Sequence, residues 1–169
     1  MDECTIQTRP YLAKGWQRRG SVTKVPTGPH QTRTIFGALD YGSGRVCWQI
    51  QPRKGGDAFA VFLKEVAQTW PDDQLVLVLD NASYHRSPII KTWWAAQAGR
   101  ITPFWLPVYC PHLNLIERVW RFLKQKLACH RFWHDVAGLE AATATVLDRL
   151  EAHFHTEDRP AIRLRKDFC

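Results

Sequence analysis

The sequence lacks any uncharged apolar run close to the length of about 20 residues that spans a bilayer. Its first residues also lack the apolar core of a secretory signal peptide. Internal repeats and flexible linkers between domains are missing as well. From these absences we predict a soluble, non-secreted chain in which one folded domain occupies most of the 169 residues.

Cysteine is scarce, and its placement is irregular. The five cysteines are odd in number and scattered along the chain, which argues against a disulfide framework and favours a reducing cytoplasm. Cys110, His112, Cys129 and His130 combine two zinc-binding residue types, but their spacing differs from that of zinc fingers and ribbons. We therefore do not expect a zinc site.

Basic residues outnumber acidic ones. Lys and Arg total 23 against 16 Asp and Glu, which gives a formal charge of +7. A surplus of this kind favours polyanionic partners such as nucleic acid, although ordinary basic proteins share it. Hydrophobic residues make up 45% of the chain and include eight Trp, so a proper core is expected.

The apolar pattern predicts a hairpin followed by alternating strands and helices. The runs TIFGALD and RVCWQIQ, joined by the turn-forming YGSG, predict strands at 34–40 and 45–51. Residues 9–33 predict an irregular basic segment. Further strands are predicted at 75–79 and 101–107. Helices are predicted to begin at Asp57, Ser87, Leu115 and Asp135. This order predicts an α/β fold with a mixed sheet covered by helices.

The stretch LVLVLDNASYH, residues 75–85, ends a buried-looking strand on a carboxylate. The carboxyl edge of such a sheet is where α/β proteins place functional groups, so Asp80 is a candidate site residue. The alternative is that Asp80 and Asn81 only begin a turn.

The stretch YCPHLNLIERVWRFLKQKL, residues 109–127, predicts an amphipathic helix with one basic face. Glu117 lies in its first turn and is a second candidate acid. Alternatively, Asn114 and Glu117 form a capping box that has no chemical role. A third acid stands near the start, in MDECTIQ. Three converging carboxylates repel one another unless hard cations lie between them, and oxygen ligands suit Mg²⁺ or Mn²⁺.

Together these motifs resemble those of the DDE transposases of the mariner superfamily, in particular the bacterial insertion-sequence members with a DDE superendonuclease domain. The resemblance rests on DE at 2–3, LVLDNASYH at 77–85 and CPHLNLIERVWRFLK at 110–124. It implies an RNase H-like fold with a central mixed β-sheet flanked by helices. Residues 1–155 would form the catalytic domain, and residues 156–169 a polar tail.

By this resemblance, the catalytic and metal-binding acids are Asp2, Asp80 and Glu117, which would hold Mg²⁺ or Mn²⁺ as two ions. The recurrent motif positions expected to shape the site are Asn81, His85 and Asn114. The implied reaction is metal-dependent DNA strand cleavage and strand transfer in transposition. The partner is double-stranded DNA, both transposon ends and target, bound by a possible homodimer in the bacterial cytoplasm at the nucleoid.

Basic side chains on the irregular segment and on the last motif are candidates for contacts with the DNA backbone, although each of them could be merely solvated. They are Arg18, Arg19, Lys24, Arg118, Arg121 and Lys124. Only Met1 precedes Asp2, whereas the family's first strand runs into this acid, and the upstream helix-turn-helix region is missing. We therefore expect Asp2 to be loosely held in a truncated chain. The alternative functions are an inactive remnant that only binds DNA and an unrelated α/β binding module.

Overall fold

The computed structural model describes residues 1–154 apart from a few short gaps. The residues outside it are 11–15, 17, 21–23, 25–27, 108–113, 129–131 and 155–169. The four Cys and His positions considered for zinc and the predicted polar tail therefore lie outside the described residues. No helix within the described ranges is long and apolar enough to cross a membrane.

The first half of the chain forms an antiparallel sheet of three strands. Strand β1 (Asp2–Gln7) pairs with β2 (Thr32–Leu39), which pairs in turn with β3 (Val46–Gln51). Asp2 lies opposite Gly37 in the register. The predicted hairpin is confirmed, with β2 beginning two residues earlier than expected. Strand β1 was not predicted beyond its acid, and its full pairing with β2 contradicts the expectation that Asp2 is loosely held.

Asp40 closes the hairpin between β2 and β3, where its backbone is hydrogen-bonded to Arg45 and Gly44. Its Oδ1 accepts a hydrogen bond from the Gly42 amide at 2.9 Å, and its Oδ2 accepts one from the Ser43 hydroxyl. Partial burial raises the pKa of Asp40, but these hydrogen bonds outweigh it and hold the pKa below the ordinary value. Asp40 is therefore a turn residue, as its sequence context indicates.

A second sheet consists of two parallel strands. Strand β4 (Leu75–Leu79) pairs with β5 (Ile101–Trp105). The Met1 nitrogen donates a hydrogen bond to the Val78 carbonyl at 2.9 Å, so β1 starts beside β4. Antiparallel and parallel strands are thus both present, in two sheets that meet at this bond. Asp2 follows Met1 on one side of the bond, and Asp80 follows β4 on the other.

Four helices cover the sheet. They are α1 (Gly56–Thr69), α2 (Pro88–Ala96), α3 (Ile116–Ala128) and α4 (Val136–Phe154), and a short 3₁₀ helix (Ser83–Arg86) follows β4. All four predicted helices are present. Asp57 lies in the first turn of α1, whose N-cap is Gly55. The 3₁₀ helix was not predicted.

Two buried clusters lie on opposite faces of the sheet, because successive residues of a strand point to opposite sides. On one face, Phe36 packs with Phe59, Phe62 and other residues of α1 and α2. On the other face, the neighbouring Ile35 packs with residues of α3 and α4. The second face is the one on which the site forms, since Cys4 belongs to its cluster and Asp2 shares the same side of β1.

Candidate active site

Asp2 is held by both the sheet and α3. It is the first residue of β1, and its Oδ2 accepts a hydrogen bond from Trp120 Nε1 at 3.2 Å. The Trp120 side chain is 2% exposed and packs over Gly37, the partner of Asp2 in the β1–β2 register. This carboxylate is therefore fixed from two sides.

Asp80 directly follows β4, as the sequence predicts. Its Oδ1 accepts a hydrogen bond from the Ala82 amide at 3.0 Å and lies 3.1 Å from His85 Nδ1, which donates its hydrogen bond to the Asp80 backbone carbonyl at 3.4 Å. The bond from the Ala82 amide closes the turn that the alternative interpretation proposes. The Asp80 side chain is nevertheless 49% exposed. Asp80 thus forms the turn and also presents a carboxylate to solvent, so the two interpretations are compatible.

His85 supports Asp80 from the protein interior. Its side chain is 2% exposed and lies against Phe59 and Tyr84, with ring centroids 4.3 and 4.4 Å away. Burial lowers the pKa of His85, although the charges of Asp80 and Glu3 oppose the shift. A neutral imidazole with its proton on Nδ1 donates to the Asp80 backbone carbonyl, at 3.4 Å.

Asn81 joins the ends of the two parallel strands. Its Nδ2 donates a hydrogen bond to the Leu106 carbonyl at 2.5 Å, and its Oδ1 accepts one from Arg86. The Leu106 amide also donates to the Leu79 carbonyl at 2.7 Å. Asn81 therefore fixes the loop that carries Asp80 relative to β5.

Glu117 lies in the first turn of α3 and is exposed. Its backbone amide donates a hydrogen bond to the Asn114 carbonyl at 3.1 Å. The buried Asn114 side chain donates from Nδ2 to the Met1 carbonyl at 3.2 Å. The start of α3 is thereby tied to the start of β1, which brings Glu117 toward Asp2.

The pKa of Asp2 is affected by the other acids. Burial raises the pKa of its carboxyl, and the charges of Glu3, Glu117 and Asp80 raise it further, to about 7. A hydrogen bond from the Glu3 backbone opposes part of the shift. The charges of Glu117 and Asp80, which come from separate elements, therefore both act on Asp2.

The same acids do not form a ready-made metal centre. Within the described ranges, no three His, Cys, Asp or Glu side chains are arranged to hold a metal ion. Charges interact over distances well beyond the roughly 2.0–2.1 Å of a Mg²⁺–oxygen bond, so this observation is compatible with the raised pKa of Asp2. The carboxylates are neighbours that would have to draw closer to share a cation.

Glu3 is a site neighbour that the sequence did not single out. Its Oε2 is buried, and so is the Tyr84 hydroxyl, which lies within the reach of a side-chain hydrogen bond to Glu3. Burial raises the pKa of Tyr84, and the Glu3 carboxylate raises it further. The position of Glu3 directly after Asp2 on a strand predicts that it faces the opposite side of the sheet, where Tyr84 lies.

The predicted DNA contacts differ in their surroundings. Arg118 and Arg121 are exposed on α3, near Glu117. Lys124 is only half-buried and lies at the Cys4 thiol, whose pKa burial raises to about 11 while Lys124 lowers it. Arg18, Arg19 and Lys24 are exposed in the segment between β1 and β2.

The sequence of this chain matches a known protein family. Residues 1–140 match the family described as DDE superfamily endonuclease. This chain belongs to that family. The predicted family membership is confirmed, and membership implies the use of a divalent metal ion.

Two curated proteins are similar in sequence. An uncharacterized 39 kDa protein of insertion element IS630 from Shigella sonnei is 28% identical over 138 residues, which cover 78% of this chain and 40% of that protein. The uncharacterized protein y4pE/y4sA of Sinorhizobium fredii is 30% identical over 102 residues, 60% of this chain and 72% of that protein. The chain thus spans about two fifths of the length of the IS630 protein.

Solved structures are similar in fold. The Mos1 transposase paired-end complex with the left transposon end matches with a TM-score of 0.62 and 12% identity, over 90% of this chain and 52% of that chain. The catalytic core domain of BIV integrase matches with a TM-score of 0.52 and 24% identity, over 77% and 79%. The predicted RNase H-like fold of this family member is confirmed.

Proposed function

We propose that this chain is the catalytic domain of a transposase that cleaves DNA strands and transfers them to a target. The observation that carries the proposal is that hydrogen bonds from Met1 to Val78 and from Asn114 to Met1 bring together the elements that bear Asp2, Asp80 and Glu117. The charges of Glu117 and Asp80 also add to the effects of burial and Glu3 on the pKa of Asp2. Their elements are distant in sequence, so a purely structural role for each acid gives no reason for them to meet. Membership of the DDE endonuclease family supports the same reading.

The donor set fits a hard divalent cation. Asp2, Asp80 and Glu117 would hold Mg²⁺ or Mn²⁺, since carboxylate oxygens suit these ions and a cation offsets the repulsion around Asp2. We further propose that two ions bind. Bound metal supplies a lowered pKa for the attacking water or 3′-hydroxyl and stabilises the charge on the leaving oxygen.

The remaining side chains serve orientation. The Ala82 amide holds one carboxylate oxygen of Asp80 and would leave the other for the cation or the solvent, while His85 holds the Asp80 backbone carbonyl. Asn81 fixes the loop that carries Asp80, and Asn114 fixes the start of α3. Because misplacement of reacting groups by about 1 Å costs orders of magnitude in rate, these shaping roles bear directly on activity.

We propose that DNA lies across the exposed basic residues of α3 and of the β1–β2 segment. The candidates are Arg18, Arg19, Lys24, Arg118, Arg121 and Lys124. Contacts of this kind hold the phosphate backbone without reading sequence. Residues 1–155 would act as the catalytic unit on transposon ends and target DNA, possible dimer formation would pair two ends, and the protein would act at the bacterial nucleoid.

The remnant that binds DNA without cutting it is the less supported alternative. It rested on a loosely held Asp2, but Asp2 is paired in the sheet and bonded to Trp120. The decisive experiment incubates the purified chain with supercoiled plasmid and Mn²⁺, with an EDTA control. Mn²⁺-dependent nicking supports the proposal, whereas salt-sensitive binding without nicking supports the remnant. Absence of both activities would contradict both functions.

A further inference from the structure

Two side chains of the α3 segment reach across to β1 on either side of Glu117. We infer that Asn114 and Trp120 are a pair of positioning residues that hold Glu117 next to Asp2. The inference rests on the proposed function, because it assigns these residues a role in assembling the metal-binding acids. It concerns placement only and gives neither residue a part in the chemistry.

The spacing puts the three residues on one face of the segment. Asn114, Glu117 and Trp120 follow one another at intervals of three residues, and residues three apart are neighbours on a helix surface. The Glu117 amide bonds to the Asn114 carbonyl, so Asn114 belongs to the first turn. Glu117 is therefore flanked by two anchors, one toward each end of the helix.

Both anchors bind the start of the same strand. Asn114 Nδ2 donates to the Met1 carbonyl at 3.2 Å, and Trp120 Nε1 donates to Asp2 Oδ2 at 3.2 Å. Both side chains are almost fully buried, at 7% and 2% exposure. An α-helix rises about 1.5 Å per residue along its axis. A shift of α3 by one residue, along its axis or by rotation, would therefore break at least one of the two hydrogen bonds.

The indole ring of Trp120 also packs directly on the sheet, where Gly37 leaves room for it. A Cβ atom added at Gly37 would lie 2.5 Å from Trp120 Cη2 and 2.9 Å from Ile116 Cδ1. The missing side chain of Gly37 therefore lets the ring lie directly on β2, opposite Asp2 in the register. This close approach fixes the ring and aims its N–H at the carboxylate.

An ordinary core role would explain the burial of Trp120 but would not require a carboxylate as the partner of its N–H. Trp133 provides the comparison, since its Nε1 donates to a backbone carbonyl, that of Leu127, at 3.0 Å. Replacement of either tryptophan by phenylalanine removes one N–H donor and keeps an aromatic ring. Comparison of the two variants separates the effect of losing a part-buried hydrogen bond from the effect of losing the contact with Asp2.

The test measures Mn²⁺ binding to the full chain by electron paramagnetic resonance, without DNA, together with Mn²⁺-dependent nicking and thermal unfolding. For Trp120→Phe we expect the Mn²⁺ concentration at half-saturation to rise at least about tenfold, because partners that orient metal ligands typically contribute 10–100-fold to metal affinity. Trp133→Phe should lose a similar amount of stability and keep its Mn²⁺ affinity.

Asn114→Ala and the double variant complete the design. Asn114→Ala should also weaken Mn²⁺ binding, and the double variant should lose less than the product of the two single effects, because residues that act as one unit are not additive. Wild-type Mn²⁺ affinity in Trp120→Phe, or an equal loss in Trp133→Phe, would overturn this inference alone. A wild-type chain that neither binds Mn²⁺ nor nicks DNA would overturn the proposed function and the inference with it.

Discussion

Replacement of Asp80 by Asn separates the structural from the chemical role of this residue. The hydrogen bond from the Ala82 amide ends on Asp80 Oδ1, which also lies 3.1 Å from His85 Nδ1, whereas the hydrogen bond of His85 goes to the Asp80 backbone carbonyl. An asparagine can keep Oδ1 as an acceptor and change only the exposed second oxygen into an amide. The turn and the fold should therefore survive.

The expected magnitudes differ widely between the two roles. Stability should change by no more than about 1 kcal/mol, the scale of one altered hydrogen bond. Nicking should fall at least about a hundredfold, which corresponds to roughly 2.7 kcal/mol of transition-state stabilisation, because a metal ligand is lost. Metal-free DNA affinity should stay the same or tighten slightly, since one negative charge is removed and the basic residues remain.

The assay compares Asp80→Asn with Asp40→Asn in plasmid nicking with Mn²⁺, in DNA binding with EDTA and in urea unfolding. Asp40 is a matched control, because it is also an acid after a strand whose oxygens accept turn hydrogen bonds. Asp40→Asn should lose a little stability and retain nicking. Undiminished nicking by Asp80→Asn would refute the reasoning and reduce Asp80 to a turn residue.

Three further outcomes are expected. The pKa of Asp2 is raised from 3.8 to about 7, so without metal its contribution to stability is favourable at low pH and is lost as pH rises through about 7. In EDTA, Asp2→Asn should therefore unfold at a higher temperature than wild type at pH 8 and at a similar one at pH 4; an equal difference at both would contradict this. Gly37→Ala should cost about 1–3 kcal/mol in urea unfolding, because the new methyl displaces Trp120, and a neutral result would show that the ring can shift freely. Arg118→Ala should weaken DNA binding and reduce its salt slope by about 1, as loss of one phosphate contact does; an unchanged slope would place Arg118 outside the DNA contact.

Local pattern was enough to predict the elements that carry the site. The apolar run before Asp80 is a strand, and Glu117 lies in the first turn of a helix, as predicted. The apolar face of α1 is buried at Phe59 and Phe62. These features depend on the alternation of residue types within a few turns or strand repeats, which a single sequence displays directly.

Contacts between distant residues were not predictable in the same way. The bonds from Trp120 to Asp2 and from Asn114 to Met1 join residues more than 100 positions apart, and no local period records such partners. Strand β1 was missed beyond its acid, since its partner β2 begins only at Thr32. The burial of Glu3 Oε2 also depends on the pairing of β1 with β2. The roles of the three acids remain predictions until the variants are measured.

The hydrogen bond from Met1 to Val78 joins two sheets whose ladders are otherwise internal to each sheet in the described part of the chain. Asp2 belongs to the antiparallel sheet, and Asp80 follows the parallel one. A cation shared by these two acids would therefore cross-link the two sheets, besides serving any reaction. Since ligand binding to the folded state alone stabilises it, Mn²⁺ should slow hydrogen exchange most strongly at the facing ends of β1 and β4.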